Sequence, residues 1–232
     1  MDVKTINDWI ISEVKLTGST NNDALAFVLP ETGNKKFCFS AEKQTNGRGR
    51  LGRKWNNGAG NLMFSLIVKC ENYNVGRLAL ICGISVLQTI QSFDASKNLA
   101  LKWPNDVLLE RKDEEYMVAG LGVNIKNAPI LENNLYKATS LKDCGISVTK
   151  EKFLGRFFEI FDNWLEKIEK KEFNAIKETW TQNAKGINQD IEVENIKGRI
   201  VGKLMGVDET GALVLQKNNA SVTILTGDVH YL

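Results

Sequence analysis

The amino-acid pattern changes near residue 186. Before this point, apolar segments with strand-like and helix-like periodicity alternate. After it, the apolar segments are short and are separated by turn residues such as Asn, Asp and Gly. The first pattern predicts an α+β domain, a mixed β-sheet flanked by helices, and about 45 residues of short strands predict a small barrel. We therefore expect two domains, residues 1–186 and residues 187–232.

In both predicted domains, the spacing of apolar residues indicates individual helices and strands. Apolar, β-branched and aromatic runs bounded by Gly or polar residues predict strands, and apolar residues recurring every three or four positions predict helices. In the first domain the predicted strands are residues 37–42, 62–69, 100–102, 107–109 and 118–125, and the predicted helices are residues 75–93, 150–170 and 173–182. In the second domain strands are predicted at residues 191–193, 199–207, 212–216 and 221–226, with a hairpin turn at residues 208–211.

Charge and the rarer residues argue against several classes of site. Lys and Arg number 30 and Asp and Glu number 28, so the net charge of +2 gives no reason to expect a nucleic-acid or membrane partner. The four cysteines form no CxxC pair, which argues against a zinc site and fits reduced thiols. A single histidine, His230, argues against a histidine-based triad. The first residues do not form a signal peptide, and no stretch approaches the ~20 apolar residues that span a bilayer, so we expect a cytoplasmic protein.

Residues 47–55 form the most distinctive motif. Three arginines and a lysine alternate with three glycines, and a tryptophan follows. Glycine lets a ligand approach the backbone, arginine pairs with carboxylate or phosphate oxygens, and an indole face suits a purine ring. The spacing is not that of a Walker loop. An anion site is predicted, and the alternative is a solvated basic loop that binds RNA or no ligand.

Three further motifs are compatible with ligand contacts. Ser19-Thr20-Asn21 caps a helix, or hydrogen-bonds an amide-like or urea-like ligand, or does both. The run from Lys102 to Asp106 (KWPND) presents an amide and a carboxylate, which suit ribose hydroxyls or phosphate-bound magnesium, or it is an ordinary Asn-Asp turn. The run from Gly120 to Asn124 (GLGVN) offers bare strand backbone, although core packing alone explains such glycines.

Together, these motifs resemble the biotin protein ligase family in order and spacing. The resemblance also includes the run from Ala41 to Gln44 (AEKQ), and it extends from about residue 14 to the end of the chain. It implies a class II synthetase-like catalytic domain of the biotin/lipoate ligase type and a small C-terminal SH3-like β-barrel. It also implies the short form of the family, without the helix-turn-helix domain that some members carry in front.

The resemblance implies a two-step reaction. Biotin and ATP give biotinyl-5′-AMP, and biotin then passes to a lysine of a biotin carboxyl carrier protein such as that of acetyl-CoA carboxylase. ATP and Mg²⁺ are implied as cofactors, biotin as substrate and the carrier as partner, with neither nucleic acid nor membrane, in a monomer or a homodimer. Arginines and Mg²⁺ offset the cost of bringing two anions together, and a mobile loop is expected to shield the adenylate from water.

Residue roles follow from the resemblance, motif position by motif position. The implied biotin-binding residues are Ser19, Thr20, Asn21, Gln44, Gly47, Arg48, Gly49, Arg50, Lys112 and Gly120. The implied ATP- or adenylate-binding residues are Arg48, Arg50, Arg53, Trp55, Asn105, Asp106 and Asn124. Arg50 and Lys112 are implied as catalytic, and Asp106 as a contact to ATP-bound Mg²⁺.

The chain departs from the family pattern after Asp106. The family usually has a Lys-x-x-Gly-Ile-Leu-x-Glu strand and a turn before the GxGxN strand, and the lysine contacts the carboxylate and phosphate. Between Lys112 and Glu115 this chain is too short for that strand. Either the protein lacks one strand or hairpin, which would expose a sheet edge, or a segment is missing from the sequence. Lys112 is the best candidate for the lysine.

Three other functions are open from the sequence. A lipoate or octanoate ligase or transferase shares the same architecture. A non-catalytic nucleic-acid-binding module would use the basic loop and the barrel, and its binding would depend steeply on salt. A ligand-sensing regulator would need a DNA-binding domain, for which the sequence shows no candidate.

Overall fold

The computed structural model describes residues 2–27, 36–49, 53, 55, 59–69, 75–103, 107–111, 116–129 and 138–232. The chain forms two compact units. The first unit comprises Met1–Tyr73 and Asp106–Glu159, and the second comprises Asn74–Asn105 and Ile160–Leu232.

A six-stranded mixed sheet is the framework of the first unit. Its elements are β1 (Asp2–Ile6), β2 (Trp9–Thr17), α1 (Thr20–Ala26), β3 (Lys36–Gln44), β4 (Leu62–Lys69), β5 (Val107–Arg111) and β6 (Tyr116–Val123). The strand order is β1-β2-β3-β4-β6-β5. Only β2 and β3 are parallel, and α1 lies in the crossover that a parallel pair requires. The other neighbouring strands are antiparallel.

Aromatic side chains cover both faces of this sheet. On one face, Phe37 and Phe39 of β3 pack with Ala24 of α1. On the other face, Trp9 stacks on Phe158 with ring centroids 4.8 Å apart. Phe158 belongs to α3 (Lys150–Glu169), which begins in the first unit and ends in the second. Because both faces are covered, β4 is apolar at nearly every position instead of alternating.

Three helices and a five-stranded antiparallel sheet build the second unit. Its elements are α2 (Val75–Phe93), the end of α3, α4 (Phe173–Asn183), β7 (Asp190–Asn195), β8 (Gly198–Val207), β9 (Leu213–Lys217), β10 (Ala220–Ile224) and β11 (Asp228–Tyr231). The first turn of α2 touches the β8–β9 turn so closely that a Cβ on Gly76 would lie 2.0 Å from the Thr210 carbonyl oxygen. Trp103 also contacts this turn, and its Nε1 donates to the Gly211 carbonyl at 3.1 Å.

Most of the predicted elements are confirmed to within a few residues. The bounds of β4 and α2 are those predicted, and the turn at residues 208–211 is a hairpin turn closed by Gly211 N donating to Asp208 O at 3.1 Å. The strand predicted at residues 100–102 is wrong, because Leu101 makes only an isolated bridge to Ala184 after α4. Strands β1, β2 and β11 have no counterpart among the predictions.

A mixed sheet with flanking helices is confirmed, whereas the closed barrel is not. The strand order of the second sheet is β10-β9-β8-β7-β11. No ladder joins β10 to β11 within residues 138–232, so the sheet as described is open. The division of the chain at residue 186 stays a prediction.

The expectation that no stretch approaches membrane-spanning length needs correction at α2. This helix has 19 residues and is apolar enough, by length and composition, to cross a membrane. Half of the stretch is buried inside the protein, and a core helix meets the same criteria, so the helix is only a weak indication of a span.

Candidate ligand-binding site

Buried polar side chains from two of the motifs meet a serine of β4 in the first unit. Ser19 precedes α1, Thr20 and Asn21 begin it, Gln44 ends β3, and Ser65 lies in the middle of β4. Ser19, Thr20 and Asn21 are only 3%, 4% and 3% exposed. A buried polar group destabilises a protein unless it is hydrogen-bonded, so the partners of these side chains define the site.

One hydrogen-bond network joins four of these side chains, those of Thr20, Asn21, Gln44 and Ser65. Gln44 Oε1 accepts from the Thr20 backbone N–H at 2.8 Å and from Thr20 Oγ1 at 3.2 Å. Ser65 Oγ donates to Asn21 Oδ1 at 2.6 Å and lies 2.8 Å from Thr20 Oγ1. Ser19 occupies the N-cap position of α1 but makes no side-chain capping hydrogen bond. The capping interpretation of this motif is therefore right for the backbone and wrong for the side chain.

Strand β6 carries no side chain where the site approaches it. A Cβ on Gly120 would lie 2.1 Å from Asn21 Oδ1, and a Cβ on Gly122 would lie 2.3 Å from the indole ring of Trp55. Neither glycine has a positive φ, so close approach and not backbone freedom explains them. Two side chains of the predicted ligand set thus lie directly on the bare strand.

The described part of the loop at residues 47–55 closes on itself. Trp55 N donates to Gly47 O at 3.0 Å, and Gly49 N donates to Arg53 O at 2.7 Å. Trp55 Nε1 is buried and has no hydrogen-bond partner among the residues that the structure describes. Because a buried donor without an acceptor is costly, an acceptor atom on a ligand that reached Trp55 would be bound favourably.

An acidic residue that the motifs did not predict lies among these groups. Glu110 of β5 accepts a hydrogen bond from Asn21 Nδ2, with Oε2 at 2.7 Å. Arg48 Nη2 lies 3.3 Å from each Glu110 carboxylate oxygen and donates to Asn22 Oδ1 at 2.6 Å. The side chains of Arg48 and Glu110 are 39% and 26% exposed, so solvent still reaches the pair. The sequence did not mark Glu110 as a site residue, because the register of β5 against β6 decides which side chain of β5 faces the site.

Asn61 is a second residue that sequence reasoning missed. It is fully buried, and its Nδ2 donates to Asn124 Oδ1 at 3.2 Å. Its Oδ1 accepts from the backbone N–H groups of Lys126 and Asn127, both at 3.1 Å. Asn61 therefore fixes the segment that carries Asn124. A usable signal existed for Asn61 and Ser65, because each is a polar residue beside or within an apolar strand whose burial demands a partner.

Four predicted site residues lie outside the residues that the structure describes: Arg50, Asn105, Asp106 and Lys112. The segment where the family pattern departs, residues 112–115, lies outside them as well. Arg53 is described and exposed, and Trp103 of the KWPND motif is buried in the second unit.

Protein side chains alone do not form a metal centre in the described part of the chain, where no group of three or more His, Cys, Asp or Glu is close enough to hold an ion. Magnesium commonly binds through one or two carboxylates, several waters and the phosphates of its substrate. A magnesium ion held in this way needs no group of three protein ligands.

Comparisons with known proteins agree with the geometry. The sequence model of the biotin/lipoate A/B protein ligase family matches residues 14–128. The biotin--[acetyl-CoA-carboxylase] ligase of Mycobacterium tuberculosis is 30% identical over 259 residues, covering 100% of this chain and 96% of that protein. The bifunctional ligase/repressor BirA of Bacillus subtilis is 28% identical over 209 residues, covering 82% of this chain, which spans 64% of that protein's length. The structure of biotin protein ligase from Aquifex aeolicus in complex with biotin and ATP superposes with a TM-score of 0.82 at 26% identity, covering 95% of this chain and 97% of that one.

Proposed function

Because the chain belongs to the biotin/lipoate A/B protein ligase family, we propose that it activates biotin with ATP and transfers it to a lysine of a biotin carboxyl carrier protein. The observation that carries the proposal is one continuous site. It contains a buried set of hydroxyl and amide groups, the Arg48 guanidinium, the buried Trp55 N–H, which no described residue accepts, and two glycines that leave β6 bare. A related structure holds biotin and ATP together.

The proposed chemistry proceeds in two steps. A carboxylate oxygen of biotin attacks the α-phosphorus of ATP, and the bond to pyrophosphate breaks, which leaves biotinyl-5′-AMP. The neutral amine of the carrier lysine then attacks the acyl carbon, and AMP departs with the electron pair of the broken C–O bond. Neither step needs a nucleophile from the enzyme, so the protein has to orient the reactants, offset negative charge and exclude water.

We assign the biotin ring to the buried end of the site. The ureido group of biotin has one carbonyl acceptor and two N–H donors, and the polar groups of Ser19, Thr20, Asn21 and Gln44 include both donors and acceptors. Gly120 supports this group of side chains from β6.

We assign the charged end of the reaction to the loop at residues 47–55. The biotin carboxylate and the α-phosphate are assigned to Gly47, Arg48, Gly49 and Arg50, and Lys112 is proposed as a further cation there. Arg53, Trp55, Asn105 and Asn124 are assigned to the nucleotide. Magnesium neutralises phosphate charge when it is bound, and Asp106 is its proposed protein contact.

Three further features of the protein are part of the proposal. The antiparallel strands β7–β11 support an SH3-like barrel at residues 187–232. Free Cys38, Cys82 and Cys144 fit a cytoplasmic location, where thiols stay reduced. A monomer or a homodimer is expected, with the carrier protein as the transient partner.

The test is the activation half-reaction, measured with purified protein, ATP, Mg²⁺ and biotin. We expect exchange of labelled pyrophosphate into ATP that depends on biotin, followed by biotin transfer to an added carrier domain. Lipoate and octanoate are the discriminating substrates, since faster exchange with either of them would contradict a biotin ligase. No exchange with any acid, together with steeply salt-dependent RNA binding, would support the nucleic-acid-binding alternative.

A further inference from the structure

Glu110 occupies donors that the proposed function assigns to the substrate. Its Oε2 lies 2.7 Å from Asn21 Nδ2, one of the groups assigned to the biotin ring. Both of its oxygens lie 3.3 Å from Arg48 Nη2, a group assigned to the biotin carboxylate. A carboxylate of the protein thus lies between the two contacts that a carboxylic acid substrate has to make.

The contact differs from an ordinary surface ion pair. Lys170, just after the end of α3, also forms an ion pair with Glu166 of that helix, but the two side chains are 59% and 57% exposed and only four positions apart in the sequence. Glu110 instead comes from the edge strand of the sheet and reaches the start of α1 and the basic loop, and its side chain is 26% exposed. Its position is set by the pairing of Glu110 with Val118 in the β5–β6 ladder.

The negative charge of Glu110 affects how strongly Arg48 and Asn21 can bind a substrate. One guanidinium nitrogen cannot serve two carboxylates at full strength, and the negative charge of Glu110 offsets the attraction of Arg48 for any arriving anion. Asn21 has the same constraint, because an amide hydrogen already donated to Glu110 is unavailable to the substrate.

We propose that Glu110 is a specificity-determining residue that competes with the substrate carboxylate for Arg48 and Asn21, and so weakens binding of the free acid. This inference rests on the proposed function. Biotin has to bind Arg48 against the negative charge of Glu110, which already lies 3.3 Å from Arg48 Nη2. A ligand with the same ring and no carboxylate would not compete for Arg48 and would feel the charge of Glu110 far less.

The test compares Glu110→Gln with the wild-type protein by isothermal titration calorimetry. Two ligands are used: biotin, and the alcohol in which CH₂OH replaces its carboxylate. The glutamine keeps the shape of the side chain and removes its charge. We expect the Kd of biotin to fall about two- to fivefold, a range scaled to a partly exposed ion pair, and the Kd of the alcohol to change less than twofold.

A matched control is Glu159→Gln, which removes the Glu of a different Arg–Glu pair, Arg156 with Glu159 at 2.8 Å on α3. We expect it to leave both affinities at the wild-type values. Circular dichroism and melting temperature verify that each variant is folded.

Four outcomes are decisive. Tighter biotin binding in Glu110→Gln with an unchanged alcohol supports the inference. Weaker binding of both ligands would overturn it, because Glu110 would then be holding Arg48 and Asn21 in place for the substrate. A wild-type protein that binds biotin but is indifferent to Glu110→Gln overturns the inference alone, whereas a wild-type protein that neither binds biotin nor catalyses exchange overturns the proposed function together with it.

Discussion

Gly120 shows at the residue scale how little space the site leaves. Replacing it by Ala would place a methyl carbon 2.1 Å from Asn21 Oδ1, and real atoms do not approach so closely. Asn21 would have to move away from Ser65 and from its assigned ligand contact. We expect Gly120→Ala to weaken biotin binding about tenfold, because leaving one buried hydrogen bond unmade costs about 1–3 kcal/mol and 1.4 kcal/mol is a factor of ten. Calorimetry measures the change.

The matched control for this variant is Gly155→Ala on α3. A Cβ there would lie 3.5 Å from Ile6, which is an ordinary contact, and Ala favours a helix over Gly by about 1 kcal/mol. Biotin affinity should stay at the wild-type value and stability should rise. Equal losses of affinity in the two variants would contradict the role given to the bare strand.

Ser65 and Ser85 form a second informative pair at this scale. Both are fully buried, but Ser65 Oγ contacts Thr20 and Asn21, whereas Ser85 Oγ has no hydrogen-bond partner in the described part of the chain. We expect Ser65→Ala to lower the free energy of unfolding by about 1–3 kcal/mol, since it removes the donor that satisfies the buried Asn21 oxygen. Ser85→Ala should be neutral or stabilising by up to about 1 kcal/mol, because it removes an unsatisfied hydroxyl from a helix. Urea unfolding of both variants measures these changes, and a larger loss in Ser85→Ala would refute the assignment.

At the scale of elements, Lys4 of β1 links the first hairpin to the start of α3. Lys4 Nζ lies 2.8 Å from Glu13 and 3.2 Å from Glu151. A hydrogen bond from its own backbone N–H, reinforced by Lys4, holds the pKa of Glu151 below the ordinary value of 4.5. A carboxyl group whose pKa is lowered by folding stabilises the native state above its unfolded pKa, and this stabilisation is lost as the pH falls through the folded value.

The resulting prediction concerns Glu151→Gln. The free energy of unfolding of the wild type should fall more steeply than that of the variant once the pH drops below about 4.5. The difference should be well under 1 kcal/mol, because Glu151 is more than half exposed and solvent screens the pair. Urea unfolding at a series of pH values measures it. Parallel curves for the two proteins would contradict the coupling.

The spacing of apolar residues predicted the helices and strands well where an element is buried on one side or on all sides. Strand β4 and helix α2 were predictable because β4 is apolar throughout and α2 repeats its apolar residues at helical spacing. The strand predicted at residues 100–102 was wrong because Leu101 alone pairs with another segment, at Ala184 after α4. The order of the strands in the sheet was not predictable from the sequence. Strand β6 lies between β4 and β5, and its pairing with β4 joins segments far apart in the chain. Glu110 entered the site through that pairing, which explains why the motifs identified Asn21 and Arg48 but not the acid between them.

At the scale of the whole molecule, ligand binding and stability are linked. All assigned ligand contacts that the structure describes lie in the first unit, so its unfolding should respond to substrates. At one hundred times Kd a ligand stabilises the folded state by about 2.7 kcal/mol, which corresponds to about 5–10 °C in a protein of this size. We expect biotin with ATP and Mg²⁺ to raise the melting temperature of the first unit by this amount in scanning calorimetry. Gly120→Ala at the same concentrations should show a much smaller shift, and an equal shift would contradict the location of the site.

Burial of the cysteines has a practical consequence for labelling. Burial raises the pKa of the Cys38 and Cys82 thiols well above the ordinary range, so both stay protonated and shielded from alkylating reagents. Cys144 is exposed in the turn at residues 141–145, and in this turn Leu141 N donates to Asn124 O at 2.8 Å. Of the cysteines that the structure describes, Cys144 is thus the one a maleimide dye reaches. A fluorophore attached there would be three residues from Leu141, which binds the backbone of Asn124, a residue that we propose contacts the nucleotide.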